Sequence, residues 1–401
     1  MQFFCCPYFA ISLKYAKFAV DMKRKTLFLP VMLAFVCLMA VSCSRGRTQS
    51  GRTGGDTLKM KYATGLTVVR FPLYTIVSVA DPWHKGNTLH TYVLVGDSLR
   101  HLPSGLPEGT LVRTPLKRSV VSTTVHSQLF MDLGAADMIR GICDLQYVGI
   151  PFLQNQVKRG IVADCGSSMQ PDVERILDLK PDAIFMSPFE NSGGYGKLDK
   201  TGIPLIECAD YMEPSPLARA EWMRFYGMLV GHEHQADSIF REVETNYLRV
   251  KKTAQTSRVK PQVLMDRREG GVWYVPGGKS TLGQMIADAG GRYVFADDKS
   301  SGSLALTVES VVDKAGGADV WLVRYSGEEP LTYKSLLSEL PAYRQIKAFV
   351  HHRVWACNLQ TSGFYEQTPF RPDRLILDFY HIFHPNHSLK QSTTYYHELS
   401  L

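Results

Sequence analysis

Aromatic and charged side chains recur in the loops that follow predicted strands, and these residues have the clearest capacity for ligand recognition. Aromatic faces pack on large flat molecules, and arginines hydrogen-bond carboxylates and catecholates. In the first half of the chain the candidates are His126, Tyr147, Phe189, Glu190 and Tyr211. In the second half they are Arg267, Trp273, Tyr274, Arg324, Tyr325, Phe364 and Tyr365. Each one alone can equally be a packing residue, but as a group they predict a cleft for a large, flat, partly anionic molecule.

The sequence contains partial matches to catalytic motifs, but none of the motifs considered is complete. The stretch Gly277-Gly-Lys-Ser-Thr resembles a phosphate-binding loop, but that motif needs a glycine where Trp273 stands. The stretch His232-Glu-His-Gln-Ala236 lacks the second histidine of a zinc-protease helix, and no G-x-S-x-G motif for a hydrolase occurs. The sequence therefore predicts no catalytic residues and no enzyme.

Metal-ligand spacing is absent as well. Four cysteines of the second part of the chain, Cys143, Cys165, Cys208 and Cys357, are far apart and form no CxxC pair, so they are interpreted as small buried hydrophobic residues. The late histidines, from His351 to His387, are interpreted as part of a solvated surface and tail. We expect no resident metal and no cofactor.

The N-terminus carries the strongest local signal. Residues 23–25 are basic and are followed by an apolar run of about 15 residues broken by Pro30, which is typical of a secretory signal and too short to span a bilayer. The run ends in Ala-Val-Ser-Cys43, which is similar to a bacterial lipobox. We expect residues 1–42 to be an upstream extension and signal peptide, Met22 to be the true start, and Cys43 to be lipidated. The alternative is ordinary signal-peptidase cleavage nearby.

The formal net charge of +7 does not indicate a nucleic-acid partner. More than half of it lies in residues 1–42, and the remainder is spread along the chain without a basic run or a basic helix. Residues 43–57 are rich in glycine, serine, threonine and arginine and are expected to form a flexible tether.

The rest of the chain divides into five predicted segments. Residues 58–117 contain β-branched and aromatic runs separated by turns, which indicates a β-rich prelude. Residues 118–230 and 257–385 alternate short apolar strands with amphipathic helices and are predicted to form two α/β lobes with parallel sheets. Between them, residues 231–256 are predicted to form one connecting helix, because Phe240, Val243, Tyr247 and Val250 recur at helical spacing. Residues 386–401 are predicted to be a tail.

The two predicted lobes repeat each other in the same order. The segment 129–134, which leads to a strand at 138, is similar to the segment 285–290, which leads to a strand at 292. Likewise the segment 173–178 leads to a strand at 183, and the similar segment 308–313 leads to a strand at 320. The fold class predicted is therefore α/β, with two similar lobes joined by one long helix and an N-terminal β-rich extension.

With this organisation, residues 118–385 resemble the periplasmic solute-binding proteins of iron-siderophore, haem and cobalamin ABC importers. The resemblance is carried by residues 118–134, by 170–184 with its Leu-Lys-Pro-Asp sequence, by 277–291, and by 340–346 with 350–355. It implies a lipid-anchored periplasmic receptor, a monomer, which binds an iron or cobalt chelate between its lobes.

The resemblance also implies a partner. Glu174 and Glu309, one per lobe, occupy the same position of the repeated helix and would dock into arginine pockets of an ABC permease dimer. Either carboxylate can instead simply stabilise the first turn of its helix.

Two other functions stay open from the sequence. The first is a zinc or manganese receptor on the same scaffold, for which only His126 and Glu190 are obvious ligands. The second is a chelatase or reductase, which no motif supports beyond the fold. Direct iron ligation by His126 or Tyr147 is a further option within the leading interpretation.

Overall fold

A computed structural model describes residues 54–191, 194–386 and 392–401. Its first element is a five-stranded sheet formed by the β-rich prelude, with strand order β1-β2-β3-β4-β5. Pairing is antiparallel except between the last two strands. The strands are β1 (Asp56–Leu58), β2 (Leu66–Arg70), β3 (Thr75–Ala80), β4 (Thr88–Gly96) and β5 (Thr110–Thr114). The predicted signal peptide and the lipidation site Cys43 lie outside the described residues.

The first α/β lobe contains a parallel sheet of five strands in the order β12-β11-β6-β7-β8. Its strands are β6 (Ser119–Val121), β7 (Ile139–Ile142), β8 (Ala163–Asp164), β11 (Ala183–Met186) and β12 (Leu205–Glu207), and a small hairpin comprises β9 (Gly166–Ser167) and β10 (Gln170–Pro171). Its helices are α1 (Thr124–Asp132), α2 (Pro151–Lys158), α3 (Val173–Leu179), α4 (Pro216–Glu221) and α5 (Met223–Val230). Side-chain caps start several of them, as when Thr123 accepts a hydrogen bond from the backbone of His126.

One uninterrupted helix, α6 (Glu233–Gln255), connects the lobes. At 1.5 Å per residue its 23 residues span about 34 Å. Its buried face consists of Ala236, Phe240, Val243, Tyr247, Val250 and Ala254, at alternating spacings of four and three. This stripe packs against α5 on the first-lobe side and against the C-terminal helix α12 (Pro372–Phe383). The predicted connecting helix is thus present as a single element.

The second lobe has a sheet in the order β16-β13-β18-β19-β20, parallel except for its last strand, and a separate three-stranded sheet in the order β14-β15-β17. Its strands are β13 (Gln262–Met265), β14 (Arg268–Glu269), β15 (Val272–Pro276), β16 (Arg292–Tyr293), β17 (Ser303–Leu306), β18 (Val320–Tyr325), β19 (Val354–Asn358) and β20 (His397–Glu398). Its helices besides α12 are α7 (Thr281–Asp288), α8 (Val308–Ala315), α9 (Tyr333–Glu339), α10 (Lys347–Val350) and α11 (Phe364–Gln367).

The C-terminal segment that the sequence assigns to a tail contributes to this second sheet. Strand β20 pairs with β19, and Tyr395 and Tyr396 are buried. The Asp378 carboxylate on α12 accepts hydrogen bonds from the backbone N–H groups of Thr394, Tyr395 and Tyr396. These bonds hold the segment against the lobe, so its described part is an edge of the sheet and not a free tail.

The β-rich sheet is attached to the first lobe by two buried glutamates. Both carboxylate oxygens of Glu221, a fully buried residue, accept hydrogen bonds from the backbone N–H groups of residues 61–63 at 2.7–2.9 Å. Glu213 does the same for Thr64 and Gly65 at 2.8–3.0 Å and also accepts the indole N–H of Trp222. The extension therefore shares one hydrophobic core with both lobes.

All four cysteines within the described residues are buried and free, as the sequence predicted. Burial raises the pKa of the Cys143 thiol to about 12, so it stays protonated at neutral pH. Among the described residues no helix has the length and apolarity needed to cross a bilayer.

We predict that Glu221→Gln lowers the free energy of unfolding by about 2–4 kcal/mol, because the amide NH₂ would meet backbone donors that the carboxylate now satisfies. Urea denaturation of the chain from residue 43 onward measures this. The exposed Glu108→Gln is the matched control and should change the midpoint little; equal effects of the two substitutions would contradict the anchoring role.

Candidate functional site

A crevice opens at the carboxyl ends of β6 and β11 in the first lobe. These strands are neighbours, and the chain leaves them toward opposite edges of the sheet, with β7 on one side and β12 on the other. Such a point is where open α/β sheets bind ligands. Ser122 and Thr123, which follow β6, and Ser187 and Pro188, which follow β11, line a cavity of about 860 Å³. That volume is within the range of small-molecule sites.

Exposed apolar and aromatic side chains form part of the crevice wall, beside polar and charged residues that include Glu174 and Lys197. Phe189 is 47% exposed, Tyr211 lines the cavity beside it, and Met169 at the tip of the β9–β10 turn is 74% exposed. The Tyr211 hydroxyl donates to the carbonyl oxygen of Pro188 at 2.5 Å, which fixes the orientation of its ring. Large apolar side chains left exposed around a concave surface indicate a binding site.

Of the first-lobe candidates, the structure brings Phe189 and Tyr211 together in the crevice. Glu190 follows Phe189 directly and is exposed. Tyr147 is exposed on a different loop, after β7, and does not line the cavity. Only two of the five predicted residues therefore form the crevice wall itself.

His126 is a core residue and not a cleft residue. It is 2% exposed, and its Nε2 atom lies 2.9 Å from Oδ1 of the fully buried Asp210. Its Nδ1 atom lies 2.5 Å from the hydroxyl of Thr123. Asp210 also accepts hydrogen bonds from Arg219 at 2.9 Å and from Tyr226 at 2.8 Å. Both ring nitrogens of His126 are thus occupied within the protein, which removes it from the proposed ligand and metal contacts.

In the sheet of the second lobe the equivalent switch point lies between β13 and β18, and an ion pair occupies it. Asp266, directly after β13, has a left-handed backbone with a φ of 59°. Its carboxylate binds the Arg324 guanidinium through two hydrogen bonds of 2.8 and 2.7 Å. The Arg324 guanidinium also lies over the Phe364 ring, 5.6 Å from its centroid. The charge of Arg324 is therefore satisfied by the protein.

Arg267, the other arginine predicted to bind an anion, forms an ion pair with Glu339. Trp273 is 0% exposed and packs against Trp321 and Tyr343, so it belongs to the core. Tyr325 and Phe364 are buried too. The second-lobe candidates that remain at the surface are Tyr274 and Tyr365, both about half exposed. The ligand surface we propose therefore excludes Trp273, Tyr325 and Phe364 along with His126.

The two lobes touch beside the crevice. Helix α11 of the second lobe packs against α1 of the first, whose N-cap Thr123 lines the cavity. Phe370 extends this contact, since its ring centroid lies 5.7 Å from His126 and 5.9 Å from Tyr226. All the residues that line the cavity belong to the first lobe, and the contact with the second lobe lies next to it.

Comparison with known proteins identifies the family. The protein-family model described as Periplasmic binding protein matches residues 123–360, which is more than half of the chain. The chain belongs to the periplasmic binding protein family.

Two curated relatives of this periplasmic binding protein come from Methanocaldococcus jannaschii. An uncharacterized lipoprotein is 28% identical over 237 residues, which cover 58% of this chain and 55% of that protein. A second uncharacterized lipoprotein is 24% identical over 393 residues and covers 90% of this chain and 96% of that protein. The chain thus spans about half the length of the first relative and nearly all of the second.

Solved structures show the same architecture. A periplasmic heme binding protein from Pseudomonas aeruginosa aligns with a TM-score of 0.56 at 17% identity, covering 71% of this chain and 99% of that one. The periplasmic vitamin B12 binding protein of Vibrio cholerae aligns with a TM-score of 0.50 at 14% identity, covering 67% and 97%. These likenesses confirm the predicted fold class of two α/β lobes and a long helix.

Both predicted docking glutamates of the periplasmic binding protein are solvent-exposed. Glu174 and Glu309 stand in the first turns of α3 and α8, at equivalent positions of the repeated unit. Glu174 also lines the crevice, whereas Glu309 does not. Within the described parts of the chain no group of three or more histidine, cysteine or acidic side chains could hold a metal ion.

Sequence reasoning missed Met169 in the crevice wall and Asp266 at the switch point of the second lobe. An apolar Met169 inside a glycine- and serine-rich turn was a detectable signal for an exposed ligand contact. Asp266 directly follows an apolar strand, a position where polar side chains reach the cleft edge.

We predict that the Asp210 network stabilises the fold above pH 4. Burial favours the neutral acid, but His126, Arg219 and Tyr226 outweigh it and lower the pKa of Asp210 to about 2. A lowered carboxyl pKa contributes stability that is present above the unfolded-state pKa and is lost as the pH falls from about 4 to 2.

Asp210→Asn should therefore cost about 2–3 kcal/mol at pH 7 and flatten the loss of stability between pH 4 and 2. Urea midpoints measured at several pH values test this, with the exposed Asp137→Asn as control. An acid-induced loss as steep in Asp210→Asn as in the parent chain would refute the assignment.

Proposed function

We propose that this periplasmic binding protein is a lipid-anchored receptor that captures a metal chelate between its lobes and delivers it to an ABC permease dimer. The observation that carries the proposal is the 860 Å³ crevice at the switch point of the first lobe, where Phe189, Tyr211 and Met169 line the wall and the α11–α1 contact between the lobes lies next to it. Exposed aromatic faces suit a large ring system or the apolar arms of a chelate.

The class of cargo is supported by the proteins that share the fold. Structural neighbours are described as heme and vitamin B12 binding proteins. Haem, a corrinoid or a ferric siderophore is accordingly the cargo we propose, held without covalent chemistry and without a resident cofactor. The stiff α6 helix supports a closure of small amplitude, because it connects the lobes without a break.

The anchor is supported by the lipobox-like sequence that ends at Cys43 and by the relatives described as lipoproteins. An acylated Cys43 followed by a glycine- and serine-rich tether would hold the folded body near a bacterial membrane on its periplasmic side. We propose a monomer, since delivery to a two-fold permease needs one contact per lobe from a single receptor.

We expect the chain from residue 43 onward, with Cys43 replaced by serine, to be stabilised by one chelate from a panel of haem, cobalamin and ferric hydroxamate and catecholate siderophores. At a ligand concentration 100-fold above Kd the stabilisation is about 2.7 kcal/mol, which a thermal-shift assay detects. Phe189→Ala should weaken binding of that chelate about tenfold by removing a ring from the crevice wall.

The matched control is Phe152→Ala, which removes an exposed ring on α2 away from the crevice and should leave affinity unchanged. If no chelate shifts the melting temperature while zinc or manganese chloride does, the chain is instead a free-metal receptor. Turnover of a bound chelate, seen as a change in its visible spectrum, would favour the chelatase or reductase.

We expect the double charge reversal Glu174→Lys with Glu309→Lys to abolish uptake of the cargo in cells while the purified protein keeps its affinity. Loss of both carboxylates removes the anionic partners of the permease arginines. The control is Asp178→Lys with Asp313→Lys, which reverses exposed charges one turn later on the same two helices.

Because Glu174 also lines the crevice, Glu309→Lys alone provides a second test of docking. It should reduce uptake and leave binding intact. An equal loss of uptake and of binding in Glu309→Lys would rule out the docking role.

A further inference from the structure

An apolar turn connects β2 and β3 at one end of the β-rich extension. It has the sequence Phe71-Pro-Leu-Tyr74 and is closed by a hydrogen bond of 2.8 Å from the Phe71 N–H to the Tyr74 carbonyl oxygen. The two rings stack with their centroids 4.7 Å apart, and between them Pro72 is exposed and Leu73 is 53% exposed. Two consecutive apolar residues therefore project into solvent from a turn whose flanking rings hold its shape.

The chain enters the fold beside this turn. Gly55 lies against Phe71, since a Cβ atom built on Gly55 would be 2.8 Å from Cζ of that ring. Strand β1, which begins at the next residue, pairs with the end of β2 that leads into the turn. Twelve residues, Cys43 to Gly54, precede this point, and a glycine- and serine-rich chain of that length has an r.m.s. length of about 19 Å. An acyl group on Cys43 would therefore keep the apolar turn close to the bilayer.

The sequence around this entry point is basic. Residues 44–62 contain five basic residues and one acidic residue. The basic residues are Arg45, Arg47, Arg52, Lys59 and Lys61. Of these, Lys61 is paired with Glu244, and Lys59 is exposed. Basic residues beside an anchor are attracted by anionic lipid headgroups, and apolar side chains next to them enter the headgroup region. Charge and apolarity at this end of the molecule together suit a bilayer that contains anionic lipid.

The other end of β2 lies on the crevice side of the first lobe. The two residues before the strand, Thr64 and Gly65, donate their backbone N–H groups to the Glu213 carboxylate. Glu213 stands two residues after Tyr211, whose side chain lines the crevice. The strand therefore begins at the end of the lobe where the crevice opens.

The turn itself lies at the opposite end of the lobe. Arg70, the last residue of β2, pairs with Glu233, the first residue of α6. This helix start is close to the amino end of β6, because the Leu116 N–H donates to the Leu229 carbonyl oxygen at 2.8 Å. The crevice opens at the carboxyl end of β6, so the five residues of β2, about 17 Å long, lead away from it toward the turn.

We propose that the Phe71–Tyr74 turn is a membrane contact that, with the basic residues beside it, holds the anchored receptor on anionic lipid with its crevice directed away from the bilayer. This inference rests on the lipid anchor of the proposed function. A receptor held in this way leaves Phe189 and Glu174 of the crevice open to the aqueous side. Docking on a permease in the same membrane then requires release of the turn, and a contact of one turn is readily reversible.

The test measures the surroundings of the turn while the protein is held on vesicles. The chain from residue 43 onward, with Cys43→Ser and an N-terminal hexahistidine, is tethered to vesicles of equal parts phosphatidylcholine and phosphatidylglycerol with a small fraction of nickel-chelating lipid. A nitrobenzoxadiazole fluorophore is attached to Leu73→Cys, since the four described cysteines are buried. Its emission should rise at least twofold on tethering, because the dye brightens in an apolar environment.

The matched control position is Met169, which is 74% exposed at the crevice. The same dye on Met169→Cys should show no rise, because the proposed orientation keeps that end in water. An equal rise at both positions would mean that the protein lies on the vesicles without this orientation, which would overturn the inference.

A second measurement uses the untethered chain, sedimented with the same vesicles without the nickel-chelating lipid. Leu73→Asp should weaken vesicle binding about tenfold, because it removes the apolar side chain that enters the lipid. The control is Val350→Asp, which changes a residue of the second lobe that is 55% exposed and should leave vesicle binding unchanged. Melting temperatures of both variants should match that of the parent chain, since both side chains are exposed.

Failure of this inference and failure of the proposed function are distinguishable. No rise in emission at residue 73, in a chain that still binds its chelate, would remove the membrane contact and leave the receptor. A rise at residue 73 that needs no lipid and grows with protein concentration would make a second copy of the chain the occupant of the turn, which also overturns the inference. An unmodified Cys43 in the mass spectrum of the chain purified from cells would instead remove the proposed anchor, and the inference with it.

Discussion

The continuous helix α6 is the constraint on which the rest of this protein depends. Every part of the body is attached to it: Glu244 accepts hydrogen bonds from Tyr62 and Lys61 of the extension, Asp237 pairs with Arg224 of the first lobe, and Tyr247 donates to Asp288 of the second. Close approach is possible because Gly227 on α5 has no side chain; a Cβ there would lie 2.6 Å from that of Ala236. The extension and both lobes are thus joined to the same helix by side-chain contacts.

The two lobes use the switch points of their parallel sheets differently. The first lobe leaves its switch point open as a crevice, whereas the second fills its own with the Asp266–Arg324 ion pair. Large apolar side chains such as Phe189 and Met169 are exposed at the crevice of the first lobe, whereas the polar groups at the equivalent position of the second lobe are paired with each other.

Local pattern was sufficient to predict most of the architecture. The spacing of Phe240, Val243 and Tyr247 gave the connecting helix, and the repeated helix–strand units gave two lobes, because these features depend on neighbours in sequence. The site was predicted less well. His126 and Trp273 are polar or aromatic residues next to strand ends, yet partners distant in sequence, Asp210 and Tyr343, hold them in the core. No periodicity carries that information, and the same holds for the C-terminal strand that Asp378 secures.

The buried pair Glu213 and Trp222 has a consequence for how the molecule can be observed. The indole N–H of Trp222 donates to Oε1 of the Glu213 carboxylate at 2.7 Å. The same oxygen accepts the backbone N–H of residue 65 at 2.8 Å, and the carboxylate also binds the backbone of residue 64. Release of the β-rich extension would expose that indole to water and change its hydrogen bond at once. Among the five tryptophans of the chain, the hydrogen bond of Trp222 is therefore coupled directly to the docking of the extension.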